Sequence, residues 1–571
     1  MKKRFPTALM VLIGIAALGI LRAAPAQIQT PAEACRFSQY SQHEDVVRFL
    51  SALDAMSPQT AVRVVGRTRE AEDFPAKDLY LVLITEGGAV RPDQLDRSKP
   101  TVLLMASQHG NEQSTKEAAL ALVRDLAVGD LKPLLKSLNV LVMPQCNPFG
   151  NAMDVRVNEQ NLDLNRDHVK LEAESTAAIR RVFVEFRPEA TIDVHEKGDD
   201  YYRVSLGCVS NLNIHASLQD FSRRKILADV AAALERKKIA FFEYLVTQEM
   251  GLDSSAGVRY AAEELAGREE MKRYSTTDLN DGRNSLGIYE TLSFIQEGAS
   301  RHDVATLADR TAWQYEGLRA FVESAARHSG EILPLVRGLR AKLLENAGRY
   351  EAGDVVHLDM DYARDPSQPT LTLKAFERTR PAAAAGPRPL GTLKTDKKAG
   401  ETLTAADIVP AAPAGAARVV EQVVKNWFPL VESRLAVARP LGYVIPAAYT
   451  EVVRTLLRHG ISVGLIAKDA QVEVEAYRIG EIVPAKYDYL PPDKITVEKR
   501  TMPALVKQGD FYVSCAQPAA HLIPALLEPQ SKYGLIRYRA CKLVPEAGNF
   551  YGLLRVTADP KLSTIPYKPW N

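Results

Sequence analysis

Thr101-Val102-Leu103-Leu104-Met105-Ala106-Ser107-Gln108-His109-Gly110-Asn111-Glu112 reads as a buried strand that runs straight into a histidine and, three residues on, a glutamate. A second stretch, Ala190-Thr191-Ile192-Asp193-Val194-His195, has the same shape, an apolar β-branched run closing on a histidine. In an open α/β sheet, sites are built at the carboxyl ends of the strands. His109, Glu112 and His195 are therefore candidates for the three protein ligands of a catalytic zinc, with a fourth position left for water. A His-x-x-Glu alone is common by chance; its place at a strand end gives it weight. Asp193 stands two residues before His195 and so on the same side of the strand. It can orient the imidazole or hydrogen-bond the backbone.

The surrounding pattern sets the fold class. Leu79–Ile84, Thr101–Ala106, Asn139–Met143 and Ala190–Val194 read as buried strands. Lys116–Leu126, Glu172–Phe186 and Leu218–Arg236 read as amphipathic helices. This alternation predicts an α/β fold, with a mixed, mostly parallel sheet sandwiched by helices. Past Gly338 the texture changes. Pro/Ala-rich loops near Pro381 and Val409 read as exposed connectors. Val472–Ile479 alternates like a half-buried strand, Tyr443–Ile445 is a short apolar run, and Ala448–His459 reads as a helix stopped by Gly460. The expected organisation is a signal peptide over 1–26, a catalytic domain over 27–335, and a smaller, largely β region over 336–571. His459 and His521 lack partners at ligand spacing and read as structural histidines.

Composition excludes some functions. With 72 basic and 70 acidic residues among 571, the net charge of +2 gives no electrostatic case for nucleic acid. Lys2, Lys3 and Arg4 precede an apolar run, Ala8 to Leu21, and Ala24-Pro25-Ala26 offers a small-residue cleavage site. The run is short for a bilayer span of about 20 residues. The expectation is export to the periplasm or outside the cell, with no membrane association after cleavage and a retained anchor as the alternative. Five cysteines, Cys35, Cys146, Cys208, Cys515 and Cys541, form no C-x-x-C pair. Cys146 and Cys208 could lie near each other, or be buried free thiols. The sequence leaves the oligomeric state open.

Between the two histidine segments lie Asn147-Pro148-Phe149-Gly150, Arg156 and Asn161-Leu162-Asp163-Leu164-Asn165-Arg166-Asp167. Leu292-Ser293-Phe294-Ile295-Gln296-Glu297 follows, another strand ending in an acid. Over roughly residues 40 to 330 this ordered series resembles the zinc carboxypeptidase family, the carboxypeptidase A type of metallopeptidase. No H-E-x-x-H or H-x-x-E-H motif occurs. The resemblance implies one Zn2+ per chain on His109, Glu112 and His195, with Glu297 as general base and Glu290 as its rival. It implies that Arg156 stabilises the oxyanion, and that Asn165 and Arg166 read the free carboxylate of a peptide substrate. Tyr274 best matches the family's mobile-loop tyrosine, and Tyr289 is the competing choice. Arg283 and Asn284 in the same loop are further candidates to face substrate, and Asp281 or Gly282 would set side-chain preference. A zinc amidase or deacylase, or an endopeptidase on cell-wall peptides, is the alternative within this chemistry. An inactive, peptidase-like binding protein is the alternative outside it.

Overall fold

The computed structural model describes residues 28–249, 270–274, 276–377, 392–393, 408–409, 418–485 and 492–568. The proposed signal peptide and most of the Pro/Ala-rich loops lie outside the described residues. Among the described residues no helix is long and apolar enough to cross a membrane.

An eight-stranded sheet organises the first region. Its strands are β1 (Thr60–Arg67), β2 (Asp78–Ile84), β3 (Thr101–Ala106), β4 (Asn139–Met143), β5 (Ala190–Gly198), β6 (Val204–Cys208), β7 (Phe241–Glu243) and β10 (Leu292–Ser300). They lie in the order β1-β2-β4-β3-β5-β10-β6-β7. The pair β8 (Leu245–Glu249) and β9 (Glu270–Tyr274) forms a separate ribbon. The central strands β4, β3, β5 and β10 run parallel, and their residues are almost all buried. A parallel strand covered on both faces has to be apolar throughout, which explains the unbroken runs in the sequence.

Helices α1 (His43–Met56), α2 (Gln113–Ala127), α3 (Glu174–Phe186), α4 (Leu307–Arg327) and α5 (Ser329–Ala347) provide the cover. The Leu218–Arg236 stretch is helical throughout but widens into a π turn at Ser222–Leu227. Helix α5 runs across residue 336, so the second region begins after a continuous element rather than a linker.

That region is largely β. It starts with β11 (Val355–Ala363), β12 (Leu371–Phe376), β13 (Thr392–Leu393), β14 (Ile408–Val409), β15 (Val419–Val424) and β16 (Leu430–Ala438), which form three two-stranded sheets. A seven-stranded sheet over residues 442–566 follows, with helix α6 (Thr450–Arg458). One apolar cluster runs from Leu103 and Ile192 through Phe183 and Tyr289 to Tyr443, Ile445 and Val513, so the two regions share a core. All five cysteines are free; four are buried and Cys35 is half-buried.

His459 and His521 join the regions. His459 Nε2 donates to the Val169 carbonyl at 2.7 Å, and His521 Nδ1 donates to that of Asn213 at 2.7 Å. The His459 carbonyl in turn accepts from the Tyr289 hydroxyl at 2.9 Å, which fixes that tyrosine in the interior. Burial, reinforced by nearby Arg180, holds the His459 imidazole well below its ordinary range. Its neutral form is therefore the folded form. Below about pH 6.5 the unfolded chain binds a proton that the native chain does not, and stability falls with pH. The stability advantage of wild type over His459→Gln should shrink by up to about 1.4 kcal/mol per pH unit below about pH 6. Urea unfolding of both proteins between pH 7.5 and 5 checks this; a constant difference would show an ordinary, exposed titration.

Candidate metal centre and active site

The loop that carries His109 and Glu112 meets the Asn147–Gly150 turn backbone to backbone. A Cβ on Gly110 would meet the Gly150 carbonyl carbon at 2.0 Å, so only glycine fits. Asn147 caps the turn by accepting from Gly150 N at 2.9 Å and donating to the Gln108 carbonyl at 3.1 Å. Asn151 Nδ2 donates to the Gly110 carbonyl at 2.7 Å. The His-Gly-Asn-Glu and Asn-Pro-Phe-Gly motifs are thus the two halves of one packed unit. Glu112 occupies the N-cap position of α2, where the helix dipole favours a negative charge.

His109, Glu112 and His195 are buried and converge. His195 Nδ1 is 3.0 Å from His109 Nδ1 and 2.8 Å from Glu112 Oε2, and His109 Nδ1 is 2.8 Å from Glu112 Oε1. The opposite ring nitrogens face carboxylates: His109 Nε2 lies 3.1 Å from Asp163 Oδ1, and His195 Nε2 lies 2.8 Å from Asp193 Oδ2. A ring whose Nε2–H donates to an acid presents the Nδ1 lone pair on its other side. Two such lone pairs and a carboxylate then point at one spot, which calls for a cation. Ligands about 2.0–2.1 Å from a tetrahedral zinc sit roughly 3.3 Å apart, close to the spacings seen. The residues fit a metal.

The electrostatics agree. Burial lowers the affinity of His195 for positive charge, yet Asp193 and Glu112 reverse this and hold the imidazole well above its usual range. Burial raises Glu112, but His109 and His195 pull it below the ordinary carboxylate range. Asp193 is itself gripped by Gln108 Nε2 at 2.8 Å, and Gln108 accepts from His168 Nε2 at 2.8 Å.

Glu297 is register partner to His195 in the parallel β5–β10 pair. Burial, aided by the Glu112 charge, pushes it up to about 7. Glu290 precedes the opposite end of β10, where it accepts from His215 N at 3.1 Å. Arg156 Nε donates to Asp163 Oδ2 at 2.8 Å, and its Nη1 is 3.8 Å from Glu112 Oε1, at the rim of the cluster. Asn165 spans the site, with Nδ2 3.1 Å from His195 Nε2 and Oδ1 accepting from Gly282 N at 2.7 Å. Arg166 Nη1 donates to the Asn165 carbonyl at 2.6 Å, within the field of Asp163, Asp278 and Asp281.

Tyr274 ends β9, paired with Leu245, its ring edge-on to Trp427 at 4.7 Å and under the Arg223 guanidinium at 4.7 Å. Burial, aided by the nearby Glu297 charge, holds the Tyr244 hydroxyl above its usual range, so Tyr244 is the tyrosine close to that acid. A lone aromatic after a three-residue strand gave no sequence signal. Asp163 was legible only as part of a motif, with no role attached. Arg283 and Asn284 are buried and engage Asp281 and Thr276, which makes them loop struts. That loop is also held from the second region. Tyr362 Oη accepts from Thr277 N at 3.0 Å, and Tyr533 Oη donates to the Thr277 carbonyl at 3.0 Å.

Two histidines and a glutamate converging on one spot, with a further acid in register beside one of them, form an arrangement that could hold a metal and carry hydrolytic chemistry. Comparison with known proteins narrows the class. Residues 46–189 match the family model described as zinc carboxypeptidase, which marks the chain as a metallopeptidase. Carboxypeptidase 2 of Trichophyton tonsurans is 24% identical over 514 residues, covering 86% of this chain and 81% of that one. Carboxypeptidase 2 of Trichophyton rubrum is 27% identical over 244 residues, 40% of this chain and 41% of that one. Among solved structures, carboxypeptidase A from Helicoverpa armigera is 16% identical with a TM-score of 0.37, covering 52% of this chain and 75% of that one.

The carboxylates behind the imidazoles give a direct test. Asp163→Asn and Asp193→Asn should each weaken metal binding by roughly 10- to 100-fold while leaving the fold intact. Competition with a zinc-binding dye, alongside circular dichroism, measures this; unchanged affinity in both variants would remove them from the metal centre.

Proposed function

We propose that the protein is a zinc-dependent metallocarboxypeptidase, exported from the cell, that hydrolyses the C-terminal residue of peptides. The observation that carries this reading is the convergence of His109 Nδ1, Glu112 and His195 Nδ1 on one point, with Glu297 in register beside His195. One zinc bound there would polarise the scissile carbonyl and make water acidic enough to react near neutral pH. Glu297 takes a proton from the attacking water and passes it to the departing amine, so the carboxylate is regenerated each cycle. Its raised proton affinity suits it to both transfers. Arg156, anchored by Asp163, offers N–H groups to the oxygen on which charge develops. Arg166, with Asn165 beside it, pairs with the terminal carboxylate, and Asn165 ties that recognition to Gly282. Tyr244, close to Glu297, favours its charged form. The placement of Tyr274 against Trp427 favours a supporting role for it.

Glu297→Gln should retain metal and fold and lose kcat by on the order of 100-fold or more, because an amide cannot accept the proton. Glu290→Gln should stay close to wild type. The opposite pattern in steady-state assays would mean the wrong acid is named.

Wild-type protein should prefer peptides with a free C-terminus over the same peptides amidated, by on the order of 100-fold in kcat/KM. Arg166→Ala should erase most of that preference. Equal cleavage of both peptides by wild type would favour the amidase or endopeptidase reading of the same centre.

A further inference from the structure

The second region reaches the centre through one buried loop, Thr276 to Asn284. Thr277 is 2% exposed, and both of its main-chain groups are held by tyrosines from far along the chain. The hydroxyl of Tyr362, on β11, accepts from Thr277 N at 3.0 Å, and the fully buried Tyr533 donates to the Thr277 carbonyl at 3.0 Å. Asn211 Nδ2, from the first region, shares that carbonyl at 2.7 Å. Among the described residues the acceptor for Thr277 N is Tyr362. Its ring is pinned in turn by the Arg273 guanidinium, 4.2 Å from the ring centre.

A shift at Thr277 is carried onward because the loop is closed on itself. Thr276 Oγ1 donates to Asp281 Oδ2 at 2.7 Å, and Arg283 Nη2 bridges the same two groups at 3.1 and 2.7 Å. Asp281 Oδ1 accepts from Asn284 N at 2.7 Å and so caps the short helix that begins at Gly282. Gly282 N donates to Asn165 Oδ1 at 2.7 Å, and the Asn165 carbonyl accepts from Arg166 Nη1 at 2.6 Å. On its inner side the loop is pressed home: a Cβ on Gly282 would meet Asp193 Oδ2 at 2.5 Å and Gln108 Nε2 at 2.9 Å. Hydrogen bonds therefore run from two hydroxyls of the second region, through one closed loop, to Asn165 and Arg166. A buried N–H left without an acceptor is costly, so removing the Tyr362 oxygen drives Thr277, and the loop closed onto it, to move.

We propose that Tyr362 and Tyr533 are positioning residues for recognition of the substrate's terminal carboxylate, acting through Thr277 and Gly282 on Asn165. This rests on the carboxypeptidase reading, in which Asn165 and Arg166 face that carboxylate. The second region then governs how tightly a C-terminus is held, while the candidate metal ligands all come from the first.

Tyr362→Phe, Tyr533→Phe and the double variant, each in the full chain, keep the rings and remove the hydroxyls. In the double variant KM for a peptide with a free C-terminus should rise roughly fivefold or more. Its kcat, its kcat/KM on the amidated peptide and its affinity for zinc in the dye assay should stay within about twofold of wild type. Tyr362→Phe should account for most of the rise, since Asn211 still holds the Thr277 carbonyl when Tyr533 is changed. An unchanged KM overturns the proposal. So does an equal loss on free and amidated peptides, which is what a merely weakened junction between the regions gives. Circular dichroism checks folding, and the single variants carry the comparison if the double variant does not fold. Hydrogen exchange reads the same path without turnover: the Gly282 amide should exchange roughly fivefold faster in the double variant, and unchanged exchange overturns the proposal. Should wild type cleave free and amidated peptides alike, the carboxypeptidase reading fails separately. Exchange at Gly282 then decides alone whether the tyrosines hold Asn165: faster exchange supports it, and equal exchange overturns it.

Discussion

The register of β5 against β10 decides everything at the centre. Parallel pairing sets Glu297 beside His195, and a period of two along β5 places Asp193 on the same face as His195. Slippage by one residue would turn Glu297 away and offer Gln296 in its place. That register is protected by burial: every residue of β10 is interior, so a slip would also exchange apolar side chains between two packed faces. The geometry of the cluster is thus held by the apolar core of the sheet.

A buried group of acids and imidazoles is costly unless each charge is answered. Here the answers are layered. Asp163 serves both His109 and Arg156, while Asp193 serves His195 and is held by Gln108. Gly110 and Gly150 let the two loops that carry this arrangement meet backbone to backbone. Main-chain contact of that kind leaves little room for drift, which matters for a centre whose partners must stay near 3 Å.

Much of this was readable in advance, for identifiable reasons. The strands Thr101–Ala106 and Asn139–Met143 were placed to the residue because buried parallel strands are continuous apolar runs bounded by polar turns. His109, Glu112 and His195 stood out because they close such runs. What was not legible depends on distant contacts. Tyr244 follows a strand of three residues, too short to carry a pattern, and the β6–β7 pairing brings it toward β10. Tyr274 stands out in the sequence only by resemblance to a family loop tyrosine, whereas the strand pairing with Leu245 and the Trp427 ring from the second region fix its position. The second region looked like an appendage because its sequence holds no chemical motif. Its part is played by hydroxyls, carbonyls and ring faces, which leave no pattern in composition.

The ties from Thr277 to Tyr362 and Tyr533 have a consequence in time. The three candidate ligands and Glu297 have been synthesised by residue 297, but Tyr533 is 256 residues beyond the loop it fastens. At translation rates of about 5–20 residues per second, that interval is on the order of ten to fifty seconds. Throughout it the nascent chain has its ligand set while the loop leading to Gly282 lacks one of its fastenings. The loop therefore gains its Tyr533 fastening only after most of the second region has been made.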